Sequence, residues 1–149
     1  MLAARARLLV IVLWVGSLWT VGYLVAPTLF ATLSDRVLAG TIAGAMFRSQ
    51  AWLSLVCGVA MVGLVTASPD LDAARRRQLR TISLAMLACL GIGYFGLQPM
   101  MAQLKAGAVA TGGVMDEAAR ARFGMLHGVS SVFYLVQSLL GGVLLFKNR

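Results

Sequence analysis

The chain has 149 residues, of which 60% are hydrophobic and 12% charged, and its mean hydropathy is +0.86. That composition excludes a soluble globular domain, and the length accommodates about four spans of roughly 20 residues with no separate soluble domain. The net charge of +8 does not indicate nucleic acid, because the basic residues form short clusters beside apolar runs instead of a basic face with an aromatic motif; they read as topology signals.

The expected fold is all-α: one integral membrane four-helix bundle over residues 1–149, with spans at about 8–30, 38–67, 79–98 and 123–146. Arg5 and Arg7 ahead of an apolar run resemble a secretory signal, but the run from Leu8 to Phe30 is longer than a signal core and no small-x-small site closes it. It is read as a retained first span. Gly16, Thr20, Tyr23 and Pro27 share one face of it, and Pro27 should kink or end the helix.

Ser34, Asp35 and Arg36 supply a cap for the second span. Within that span Gly40 and Gly44 form a small-xxx-small pair that permits close helix contact. Arg48 and Gln50 lie toward its outer part. Arg48 is read as snorkelling to the headgroups or as paired inside the bundle, and its functional alternative is a ligand for an anion or lipid headgroup. Ser68, Pro69 and Asp70 look like cap, first helical residue and first-turn acid of the third span, which makes spans two and three an antiparallel hairpin. Arg75, Arg76, Arg77 and Arg80 follow, as a topology anchor and anionic-lipid contact. Ser83, Gly91, Tyr94 and Gln98 form a small or polar stripe, Pro99 ends the span, and Met100 to Met115, with Thr111, Gly112 and Gly113, reads as the longest irregular segment. No internal repeat is evident.

Asp116 caps the last helix, which would be about 46 Å long to Phe146 at about 1.5 Å per residue. This span carries the main polar stripe. His127, Ser130, Ser131, Tyr134, Gln137, Ser138 and Gly141 recur at helical spacing, opposite Val129, Val132, Phe133, Val136, Leu139, Leu140 and Val143. An unpaired hydroxyl or amide in hydrocarbon is costly, so Ser131, Tyr134 and Gln137 should face the other spans, and the apolar side should face lipid.

With four spans, Arg5, Arg7, Arg75, Arg76, Arg77, Arg80, Lys147 and Arg149 share one side, against Arg36, Arg48, Lys105, Arg120 and Arg122 on the other. The positive-inside rule then puts both termini in the cytoplasm. Tyr23 and Pro27, Arg48 and Gln50, Gln98, Pro99, Met100 and Met101, and His127 with Ser130 and Ser131 should lie at a similar outer level, where they could converge.

Trp14-x-Gly16, Pro27-x-x-Phe30, Ala39-Gly40 with Phe47, and Phe123-x-x-Leu126-His127-Gly128-x-Ser130 resemble a four-helix family, the domain of unknown function DUF4149, which includes the transmembrane protein 205-like proteins. The resemblance implies a multi-pass protein of a bacterial inner membrane with no settled activity. It implies a link, through eukaryotic relatives, to platinum-drug resistance, and a likeness to copper-resistance membrane domains. It marks His127, Gly128 and Ser130 as family-pattern positions without assigning them a reaction.

The candidate chemistry is sparse. His127, the only histidine, is first a hydrogen-bonding residue near the interface. Its alternative is a soft-metal site with Met100, Met101 and Met125, since thioethers suit a copper-like ion, although methionine is also ordinary core filler. Haem would lack a second histidine. Ser130 or Ser131 beside His127 has no acid to orient the imidazole, and GxSxG, HExxH and phosphate-binding loops are missing from the sequence. Cys57 and Cys89 have no ligand spacing and read as free thiols. The leading expectation is a non-enzymatic membrane protein without a cofactor, acting as an oligomer or as an accessory subunit of a membrane partner. A small transporter or binder of a soft cation is the rival, and a membrane enzyme comes third.

Overall fold

The computed structural model describes residues 2–110 and 114–148. Four helices are long and apolar enough to cross a membrane: α1 (Leu2–Thr32), α2 (Arg36–Ala67), α3 (Ala73–Ala108) and α4 (Glu117–Lys147). No strand occurs among the described residues. The shortest has 31 residues, so each exceeds the hydrocarbon core of about 30 Å at about 1.5 Å per residue. Their polar ends therefore project. The helices alternate in direction. Each packs on its sequence neighbours, and α4 closes the ring against α1.

Acids start three of the helices. The Asp35 carboxylate accepts from the backbone N–H of Val37 and Leu38 at 2.8 and 3.0 Å, Asp116 accepts from that of Ala119 at 2.7 Å, and Asp72 accepts from that of Arg75 at 2.8 Å. The first two match the sequence reading and the third corrects it. Ser68 ends α2 instead of starting α3, because Leu71 is drawn into the core and holds residues 68–71 in the turn.

Two further expectations are corrected. Pro27 and Pro99 do not end their helices, which run on to Thr32 and Ala110. Met100 to Ala110 is helical, as suits a stretch with four alanines and two methionines, while Thr111, Gly112 and Gly113 lie outside the described residues.

The aliphatic core occupies the half of the bundle nearest the α2–α3 turn, where Ile11, Trp14, Val15, Cys57, Met61, Val65, Leu71, Leu79, Met86 and Leu144 cluster. Close approach there depends on Gly58. A Cβ at that position would run into Leu87 and lie 3.0 Å from the Trp14 ring. Gly40 and Gly44 do not serve that purpose within the chain: a Cβ on Gly40 would reach only Phe30, at 3.9 Å, and one on Gly44 would meet nothing within 4 Å. Cys57 and Cys89 are both free thiols.

Candidate functional site

The half of the bundle away from the α2–α3 turn is organised by two wide turns. α1 adopts π-helical hydrogen bonding over Thr20–Val25 and α3 over Gly91–Gly96. Each turn contains a Gly-Tyr pair, Gly22-Tyr23 or Gly93-Tyr94, and is followed by a proline, Pro27 or Pro99. Proline lacks an N–H and its ring presses on the carbonyl four residues back, which is that of Tyr23 or Phe95. Both carbonyls lie in the widened coil, which takes up the clash and lets the helix continue. This short repetition is present in the sequence, but its role in widening the helix shows only in the structure.

α4 bonds to the main chain within the second turn and just ahead of the first. The Tyr134 hydroxyl donates to the Leu18 carbonyl at 2.7 Å, and Ser130 Oγ donates to the Gly93 carbonyl at 3.1 Å. In the other direction, Trp19 Nε1 donates to the Ser138 carbonyl at 3.3 Å. Where no water competes, such bonds are the means by which helices satisfy their polar groups. Tyr134 also joins three helices through its ring. It lies over Gly22, whose Cβ-less backbone makes room for it, and it meets Tyr23 and Phe47 edge-on at 6.4 and 5.4 Å between centroids. Trp52 and Phe95 tie α2 to α3 in the same way at 5.5 Å.

The polar stripe is thus only partly as expected. Ser130 and Tyr134 point inward, and Gln137 and Ser138 are buried. Ser131 is exposed and its hydroxyl returns to the carbonyl of His127 on the same helix at 2.8 Å. His127 is exposed too, stacked on Phe123 at 6.1 Å, with Lys105 Nζ 5.3 Å from the Phe123 ring centre. Phe133, assigned to lipid by the sequence, instead packs against Gly93, and Leu140 packs against the core. Gln50 is buried and donates to Ser54 Oγ at 2.6 Å. Gln137 Nε2, Trp14 Nε1 and Ser83 Oγ are buried without a hydrogen-bond partner among the described residues.

The outer residues expected to converge do not form one centre. Arg48 is exposed, Gln98 is half-buried, and neither pairs with another side chain among the described residues. Of the four proposed metal ligands, Met101 is buried while Met100 and Met125 are exposed. Met125 and His127 lie two positions apart on one continuous helix, so their side chains diverge by about 200°.

The strongest electrostatic constellation is at the opposite end, and the sequence reading missed it. Arg7 is 2% exposed. Its NH2 and NH1 donate to the two Asp70 oxygens at 2.7 and 3.2 Å, its NH1 also bonds Ser68 Oγ, and its Nε reaches Asn148 Oδ1 at 3.4 Å. One guanidinium therefore ties the start of α1 to the α2–α3 turn and to the end of α4. Arg76 donates to the carbonyls of Ser68 and Leu71 at 2.7 and 3.1 Å, and Arg75 donates to that of Lys147 at 2.9 Å.

The hydrogen bonds from Arg7, with desolvation opposing them, hold the Asp70 carboxyl at about 2, below its ordinary 3.8. A depressed carboxyl stabilises the fold above its unfolded value and loses that contribution as the pH falls through the folded one. Stability should therefore drop between pH 3.8 and about 2. Thermal unfolding in detergent at about pH 5 and about pH 2 should show this for the wild type and a smaller drop for Asp70→Asn.

Residues 9–110 match the family described as a domain of unknown function, DUF4149. The chain belongs to the DUF4149 family. The matched segment holds α2, α3 as far as it is described, both π turns and all but the first residues of α1. It leaves out α4, and with it the Phe123-to-Ser130 motif that contributed to the resemblance. No curated protein and no solved structure matches the chain. The DUF4149 segment thus carries both wide turns, and the residues that bond to them come from α4.

Proposed function

We propose that this chain is a non-enzymatic, multi-pass membrane protein that works in association with a second copy of itself or as an accessory subunit of another membrane protein. Arg48 carries the reading. It is exposed on α2, pairs with nothing among the described residues, and lies about 18 Å along the helix from its outer end at about 1.5 Å per residue. A lipid-level cation calls for a counter-group, and an outside chain can supply it. Gly44, one turn away, adds a smooth patch where an added Cβ would meet nothing within 4 Å among the described residues. Two of the interior polar groups, Ser130 and Tyr134, support the same reading, since they are committed to backbone carbonyls. The eight basic residues at the end bearing both termini, against five at the other, favour an inner-membrane orientation with both termini in the cytoplasm.

Mild crosslinking in membranes, followed by purification, should recover a defined homo-oligomer or a defined partner, and Arg48→Leu should weaken its recovery. A monodisperse monomer that brings down no partner would overturn the reading. Metal analysis of the same material separates it from a soft-cation binder. Wild type, His127→Ala and Met100→Ala should hold equally negligible copper, whereas a stoichiometric ion lost on either substitution would favour the rival.

A further inference from the structure

We propose that the inner end of the α3–α4 groove is a binding site for one phospholipid with an anionic headgroup. An open cleft of about 330 Å³ lies between the first turns of α3 and the last turn of α4, bordered by Asp72, Arg75, Gln78, Phe146 and Lys147. A second, of about 270 Å³, shares Gln78 and Lys147 with it and extends to Arg77, Thr81 and Ile82.

The charges in this groove are unequally engaged. Asp72 caps α3 through the backbone of Arg75, and the Arg75 guanidinium donates to the Lys147 carbonyl through Nε at 3.2 Å and NH2 at 2.9 Å. These bonds join the two helices and fix the floor of the groove. The side-chain cations of Arg77 and Lys147 are left over: neither has an ion-pair partner among the described residues. Two uncommitted cations on one cleft match a phosphodiester, which Arg77 can grip through two parallel N–H groups while Lys147 acts as a point charge. The Gln78 and Thr81 side chains line the same cleft and add an amide and a hydroxyl to it.

The polarity gradient selects a lipid over a soluble phosphate. From Arg77 to Ile82 the groove descends about 7 Å along α3 at about 1.5 Å per residue, passing from the cations toward the apolar part of the span. Ile82 packs on the core cluster, and Phe146 is exposed beside the groove. A charged rim above an apolar trough fits a headgroup above an acyl chain. The inference uses the membrane spans but not the partner reading of Arg48, and the two fail separately.

Native mass spectrometry of the full chain in non-ionic detergent, with equal phosphatidylglycerol and phosphatidylcholine of identical acyl chains, tests it. The wild type should retain one phosphatidylglycerol with a preference of about tenfold or more, and Arg77→Gln with Lys147→Gln should lower it nearly to parity between the two lipids, a loss of about fivefold or more. Arg5→Gln with Arg80→Gln, which removes the same charge from the same end, should leave it within about twofold. Excess glycerol phosphate or a phosphopeptide should not displace the lipid. Absence of a preference in the wild type would overturn the proposal without reference to any variant. An equal loss in the Arg5 and Arg80 variant, or displacement by either soluble phosphate, would overturn it as well.

Discussion

Trp14→Ala is expected to destabilise the bundle by about 3 kcal/mol, the lower end of the range for emptying a tryptophan site. Trp14 is 0% exposed and lies over Gly58 in the core. In a bilayer the separated helices remain in an apolar medium, so the transfer term largely drops out, and lost packing carries most of the effect. The reverse change, Gly58→Ala, should cost about 1–3 kcal/mol by overfilling the same contact. Because the two residues share one space, Trp14→Ala combined with Gly58→Leu should cost less than the sum of the single changes. Denaturation by dodecyl sulfate, followed by circular dichroism, reads all of these. Strict additivity would mean that α1 and α2 do not meet at this point.

Asp70→Asn should lower the unfolding midpoint more than Arg7→Met does, although both substitutions break the same pair. The Arg7 side chain is 3% exposed and that of Asp70 38%. Removing the arginine leaves a carboxylate that water can reach, and the methionine fills much of the vacated volume. Removing the carboxylate's charge leaves a buried cation facing a neutral amide, the more costly of the two outcomes. The double variant should recover part of the loss. Equal effects from the two single changes would indicate an exposed, weakly coupled pair.

The four spans were legible in the sequence because long apolar runs punctuated by Asp35 and Asp116 allow few other arrangements. The wide turns were not, since Pro27 and Pro99 read most simply as helix stops. The repeated Gly-Tyr pair ahead of each proline was the available clue. The orientation of α4 was legible at Tyr134 and Gln137 and misjudged at Ser131, Phe133 and Leu140. The inward positions Ser130, Phe133, Gln137, Leu140 and Leu144 alternate steps of three and four, the period by which helices packed at a shallow angle keep one seam together. The sequence stripe was anchored on His127, which is exposed, so it lies to one side of that seam. Arg7 was hidden by its own plausibility as a topology charge. Asp70, the acid in the turn at the same end, was the hint that it had a partner.

Disulfide formation across the α3–α4 contact tests the inward turn of the last helix most directly. A Cβ built on Gly93 would lie 3.0 Å from that of Phe133, close to the separation of about 3.5–4.5 Å found in disulfides. In a chain with Cys57 and Cys89 replaced by alanine, Gly93→Cys with Phe133→Cys should oxidise readily in native membranes. Gly93→Cys with Val132→Cys should not, because residue 132 faces outward. Crosslinking at 132 but not at 133 would mean that α4 presents its other face to the bundle, and that Tyr134 and Ser130 are not what binds the two wide turns together.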